Sequence, residues 1–361
     1  MPTAGPPASL APDYATARAG FLVAAEAAGA AITSIVHPMR GLDGDELAID
    51  LADLGPRDAA GIVFVVSGTH GAEGFAGSAL QTHWLEHDAG DRPAGVRVVM
   101  MHAHNPYGFA WTRRVNEDNV DLNRNYIDWS RPAPANPEYA DIADLLVPDD
   151  WSAATQERTT GALLEYAMQV GMDAMQANVS GGQYTHPTGV FYGGSGPTWS
   201  HDRMHEVCRD VLAGADRVAI IDLHTGLGEW GHGELIGHHA TSHPGHRRAV
   251  EWWGDVRSMV DGDSVSADVV GDWLARVDEW LAPAEVTAAA LEYGTVDTIS
   301  VLQALRGDAW LHAHGDPTGP DGPTVRAAVR AAFADDDPAW IATLWPRFAE
   351  VFGAALRNVS G

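Results

Sequence analysis

Four short runs of consecutive apolar residues organise this chain: 61–67 (GIVFVVS), 96–102 (VRVVMMH), 217–223 (RVAIIDL) and 286–291 (VTAAAL). Continuous runs of this length, without strict alternation, suit strands buried on both faces. Between them, apolar positions recur with helical spacing over 13–30, about 76–88, about 151–177, 201–213, about 245–260 and 270–281, and a helical tail covers 325–357. Strands alternating with helices predict an α/β fold with a mixed, centrally parallel twisted sheet flanked by helices. Residues 1–12 are rich in Pro and Ala and read as loosely ordered. The Pro- and Asp-rich stretch 131–150 and the segment 179–200 read as long surface loops. With no internal repeat and no clean linker, 1–361 reads as a single domain.

Composition narrows the partners. The 361 residues are 45% hydrophobic and 20% charged, the balance of a globular protein with a sizeable core. A formal charge of -27 repels nucleic acid and anionic membranes, so neither is an expected partner. All 22 cationic residues are Arg. In such an acidic field, an Arg beside a candidate site carries extra weight for an anionic substrate. The one cysteine, Cys208, excludes an intrachain disulfide and reads as a buried, inert thiol. No run of 18 apolar residues predicts a membrane-spanning helix, and no basic region precedes an apolar stretch near Met1, so a cytoplasmic location is expected.

Candidate chemistry sits where three of the four runs end. The first runs into Thr69-His70-Gly71-Ala72-Glu73, the third into Asp222-Leu223-His224, and the fourth into Glu292. In open α/β sheets ligands bind beyond the carboxyl ends of the strands. Two His and one Glu form a donor set suited to catalytic zinc, which keeps a further position open for water. Taken singly, His70 reads first as a loop histidine bonded to backbone, and Glu73 as a solvated loop carboxylate or an acid favoured at a helix N-terminus. A rival set is His83-Trp84-Leu85-Glu86-His87, which has the H-x-x-E-H spacing of a helical zinc site. His201 and His205 share helical spacing, but no Glu follows His201. His232, His238, His239, His243 and His246 read mostly as surface or supporting residues.

Four blocks in order resemble the zinc carboxypeptidase family: His70-x-x-Glu73; Asn105-Pro-Tyr-Gly108 with Arg113-Arg114 and Asp121-Leu-Asn-Arg-Asn125; Asp222-Leu-His224; and Glu292-Tyr-Gly294. The texture is similar to a bacterial branch of that family, and more distantly to succinylglutamate desuccinylases and aspartoacylases. The resemblance implies a zinc carboxypeptidase-like fold with one zinc per chain on His70, Glu73 and His224. It implies Glu292 as general base and later proton donor, and Arg114 as the group that polarises the scissile carbonyl. Asn123 and Arg124, with Arg113 beside them, would bind a substrate carboxylate, and Asp121 would accept a hydrogen bond from the free nitrogen of His70. Tyr184 and Tyr192 are candidates to cover the substrate end. The implied reaction is hydrolysis of a peptide or amide bond next to a free carboxylate, in a small peptide or acylated amino acid. The alternative is an N-acyl amino acid deacylase or esterase on the same zinc.

Overall fold

The computed structural model describes residues 5–267 and 269–360. Its frame is one eight-stranded sheet: β1 (Ala31–Arg40), β2 (Glu46–Leu54), β3 (Gly61–Ser67), β4 (Val96–His102), β5 (Arg217–Trp230), β6 (Gly233–Gly237), β7 (Val256–Ser258) and β8 (Glu285–Gly294). The spatial order is β1-β2-β4-β3-β5-β8-β6-β7. The four strands expected from the apolar runs are β4, β3, β5 and β8, which lie side by side and parallel at the centre. The outer four were not anticipated. β1 is a mostly exposed edge strand with no apolar run, and β6 and β7 are only five and three residues long, too short to show a period.

The helices are α1 (Tyr14–Ala27), α2 (Gly74–His87), α3 (Pro106–Trp111), α4 (Ala143–Leu146), α5 (Ala153–Val170), α6 (Met172–Ser180), α7 (Trp199–Val207), α8 (Pro244–Trp253), α9 (Val277–Trp280), α10 (Thr298–His314), α11 (Gly322–Phe333) and α12 (Pro338–Val359). Local chemistry sets several boundaries. Asp13 caps α1 by accepting from the Thr16 N–H. The helix expected over 151–177 is two, because Gly171 adopts φ 91° between α5 and α6. The helix expected over 245–260 ends at Gly254 and turns into β7, and the tail breaks into α11 and α12. None of the helices of the described residues is long and apolar enough to cross a membrane.

Side chains alternate across the sheet, so odd and even positions of β3 feed different cores. Val63 and Val65 pack with α1, α2 and α12; Ile62, Phe64 and Val66 pack with α7 and the Trp273–Leu274 turn. Cys208 is buried in the second core, where burial pushes its thiol up to about 12, as expected of an inert thiol. A third cluster lies beyond the strand ends. It joins Leu163, Met175, Val179, Val301, Leu305 and Phe333 to Tyr139, Ile142 and Leu146.

That third cluster corrects two expectations. The stretch 131–150 is no mere surface loop, because Tyr139, Ile142 and Leu146 have no exposure. The segment 179–200 is also largely structural, with Gln183, Val190, Tyr192 and Thr198 buried. Both were misread because their apolar residues are sparse and pack only in three dimensions. Of residues 1–12, the first four lie outside the described residues, and Leu10 is buried in the first core.

Candidate metal centre at the carboxyl end of the sheet

Register brings two of the candidate residues together. His224 of β5 is paired directly with Glu292 of β8, and Val66 and Ser67 of β3 are paired with Asp222 and Leu223. The chain leaves β3 through Gly68 at φ +67°, so Thr69, His70 and Glu73 fold back over the strand ends. A side chain at Gly71 would put its Cβ 2.0 Å from the Gly108 carbonyl carbon, so this turn packs against α3 as only glycine allows.

The donor atoms of His70, Glu73 and His224 all lie within 4.8 Å of one another. Glu73 Oε2 accepts from the Thr225 N–H at 3.0 Å and lies 3.0 Å from His224 Nδ1. His224 Nε2 faces Asp222 Oδ2 at 2.7 Å. Asp222 also accepts from Thr69 Oγ1 at 2.8 Å and from Trp273 Nε1 at 2.7 Å, which fixes it behind the ring. Burial alone would lower the His224 pKa, but Asp222 and Glu73 hold it well above the usual imidazole value. For His70, burial and the Arg114 charge push the pKa well down.

Arg114 spans the cluster. Its Nη1 donates to Glu73 Oε1 at 2.9 Å, its Nη2 to His70 Nε2 at 2.8 Å, and its Nε to Asp121 Oδ2 at 3.0 Å. The expected hydrogen bond from His70 to Asp121 is not formed; the nearest atoms, Nδ1 and Oδ1, are 3.8 Å apart. Asp121 instead serves Arg114 and the Asn123 N–H. Burial opposes its ionisation, yet Arg114 and Arg124 hold its pKa well below the ordinary range. Asp222, behind His224, makes the carboxylate–imidazole contact that was expected of Asp121.

The residues present fit a metal ion. Two imidazoles and a carboxylate converge, His70 Nδ1 is buried without a hydrogen-bond partner, and a guanidinium already bridges two of the three groups as a cation would. Beside them, Glu292 Oε1 accepts from the Leu227 N–H at 2.9 Å. Burial first, and then the Glu73 charge, push the Glu292 carboxyl up to about 7.

These groups open on a cavity of about 640 Å³ whose walls are mostly apolar. His70, His224, Glu292, Arg114 and Asn123 line it, together with Leu163, Met175 and Val179 from α5 and α6 and Val301, Leu302 and Leu305 from α10. Arg113, Arg124, Tyr184 and Tyr192 are not among the lining residues. Arg113 is buried in an ion pair with Asp308 at 3.0 Å. Arg124 spends Nε and Nη2 on the Ser180 carbonyl at 3.1 and 2.6 Å, and the Tyr184 hydroxyl donates to the Arg124 carbonyl at 2.6 Å. Packing thus keeps Arg114 at the cavity and draws Arg113 and Arg124, both expected to bind substrate, away from it. Phe191, which sequence reading passed over, does line the cavity, at φ 54° and with Arg114 5.6 Å from its ring centroid.

A family model described as "Protein of unknown function (DUF2817)" matches residues 10–347. The chain belongs to the DUF2817 family. No curated protein matches the DUF2817 chain. Among solved structures it is similar to carboxypeptidase A from Helicoverpa armigera, with 13% identity, 89% of this chain and 74% of that chain covered, and a TM-score of 0.49. It is also similar to bovine thrombin-activatable fibrinolysis inhibitor (10% identity, 94% and 97% covered, TM-score 0.42). An aspartoacylase family protein from Mesorhizobium loti is a third (15% identity, 79% and 67% covered, TM-score 0.37).

The rival helical set in the DUF2817 chain also gathers, with His83, Glu86 and His87 close enough to share an ion. It occupies the last turn of α2, and α2 runs back from the β3 carboxyl end over the central strands, so this set lies toward the amino ends of the strands, away from the cavity. Glu86 and His87 are exposed there, and no member lines the cavity. His201 and His205 pack against Tyr126 and Trp280.

Proposed function

We propose that this protein is a zinc-dependent hydrolase of an amide or peptide bond in a small substrate bearing an apolar group. One observation carries the reading: His70, His224, Glu292 and Arg114, drawn from four separate parts of the chain, line one apolar-walled cavity, and Glu73 lies within ligand distance of both histidines. The ordered sequence blocks support the same chemistry.

His70, Glu73 and His224 would hold the ion, which when bound supplies Lewis acidity and lowers the pKa of water toward neutrality. Glu292 keeps one carboxylate oxygen on the Leu227 N–H, which leaves the other to take a proton from water and pass it to the leaving nitrogen. The Arg114 guanidinium faces the cavity and can stabilise negative charge developing on the carbonyl oxygen.

The N-acyl amino acid reading is favoured over a strict carboxypeptidase by the engagement of Arg124 with Ser180. A terminal carboxylate would have to be met by Asn123 and Arg114, while an apolar acyl group has the α5, α6 and α10 wall. A panel of N-acyl amino acids, with free and amidated carboxylates, tests this in the presence of zinc. Fast cleavage of long-chain or aromatic acyl substrates is expected, with only a modest loss on amidation. Abolition of turnover by amidation across the whole panel would restore the carboxypeptidase reading. Undiminished hydrolysis by His70→Ala/Glu73→Gln would refute the metal site itself.

A further inference from the structure

A second cluster of imidazoles lies where β6 ends and α8 begins. His238 and His239 follow Gly237, His243 caps α8 by accepting from the Gly245 N–H at 3.1 Å, and Asp278 reaches in from α9. Rings 238 and 239 are 4.0 Å apart and rings 239 and 243 are 3.7 Å apart, centroid to centroid. His239 Nε2 meets Asp278 Oδ2 at 2.8 Å. Donor atoms of His238, His239 and Asp278 all fall within 4.8 Å of one another.

Crowding imidazoles together gains nothing from the hydrophobic effect, and the burial of His238 makes the crowding costly. His238 is only 7% exposed, yet neither of its ring nitrogens has a hydrogen-bond partner. The neighbouring His246 is 5% exposed, and its Nδ1 is likewise unpartnered. Buried polar atoms are almost always satisfied, by protein, water or an ion. An orphaned ring beside two more imidazoles and a carboxylate is a donor set that a borderline divalent transition metal satisfies.

We propose that His238, His239 and Asp278, with His243 beside them, form a second zinc-class metal site, distinct from the one on His70, Glu73 and His224. His238 lines the same cavity as His70 and His224, so the second ion would border the space where substrate is bound. It would also tie α9 to the segment that leads into α8, which already meet through the His239–Asp278 contact.

The test is zinc stoichiometry on the full chain, stripped with chelator and then dialysed against micromolar ZnCl2. Wild type is expected to hold two zinc ions per chain. His238→Ala/Asp278→Asn should hold one, and so should His70→Ala/Glu73→Gln, each with an unchanged circular dichroism spectrum. One ion in wild type, lost entirely from the His70/Glu73 variant and kept by the His238/Asp278 variant, would overturn the second site and leave the first intact. One ion kept by the His70/Glu73 variant and lost from the other would support the second site and refute the first. Should the His238/Asp278 variant fail to fold, zinc-edge anomalous diffraction from wild-type crystals decides. A peak between His238 and Asp278 supports the site, and its absence at saturating zinc overturns it.

Discussion

Asp222→Asn isolates what the group behind a proposed metal ligand contributes. Asp222 is fully buried and accepts from three donors, the Thr69 hydroxyl, the Trp273 indole and His224 Nε2, at 2.7 to 2.8 Å. Asparagine has one acceptor oxygen where the carboxylate has two. At least one donor would then face an N–H group, and the charge that keeps the His224 proton on Nε2 disappears. A hydrogen bond to a charged group contributes about 1.5–3 kcal/mol. At about 1.4 kcal/mol per factor of ten, zinc affinity should fall roughly ten- to a hundredfold, the range found when groups behind metal-bound histidines are removed. A competitive chelator titration at neutral pH reads this, in a His238→Ala background so that one site is titrated. Thr69→Val, which removes one donor and no charge, should cost less than Asp222→Asn. If Asp222→Asn holds zinc as tightly as its parent while His224→Ala does not, the carboxylate has no part in tuning the ligand and the reasoning fails.

Glu292→Gln should retain zinc and lose roughly 10²–10⁴-fold in kcat, as expected when a positioned base is removed; equal loss of zinc would make it a structural residue instead. In the metal-free protein the Glu292 carboxyl is raised from 4.5 to about 7, so its contribution to stability is fully present below about pH 4.5 and is lost as pH rises through about 7. Thermal melts of metal-free protein across that window should therefore be flatter for Glu292→Gln than for wild type. Arg113→Met should destabilise by about 3–5 kcal/mol in urea titrations, because it strands Asp308 at 5% side-chain exposure, and leave KM unchanged; raised KM at full stability would return Arg113 to substrate binding. Along a series of N-acyl substrates kcat/KM should climb roughly fourfold per methylene, the equivalent of about 0.8 kcal/mol, until the cavity is filled. A flat series would mean that the apolar wall faces no substrate.

Much of the site was legible because its residues sit next to strong local signals. His70, Glu73, His224 and Glu292 follow short apolar runs that suit buried strands, and strand ends are where such sheets place ligands. The four central strands were legible for the same reason. What escaped reading were elements with weak periodicity: the exposed edge strand β1, the short β6 and β7, and the residues of 131–150 that are buried only because α5 and α10 lie over them.

Sequence by itself determined the α/β class, the central strands and the residue types able to hold a metal, since these depend on hydrophobic run length and donor chemistry close along the chain. Tertiary structure decided where several look-alike groups end up. Arg113, Arg114 and Arg124 are equivalent in composition, yet Asp308 claims one, the Ser180 carbonyl another, and only Arg114 reaches His70 and Glu73. Asp222 rather than Asp121 stands behind an imidazole, because the β3–β5–β8 register sets His224 against Glu292 and turns its far nitrogen inward. The crowding of His238, His239 and Asp278, 40 residues apart at the widest, was likewise invisible along the chain. The physical reason is common to all three: a charged or ligating side chain takes its role from the nearest buried partner, and partners distant in sequence meet only when the sheet closes.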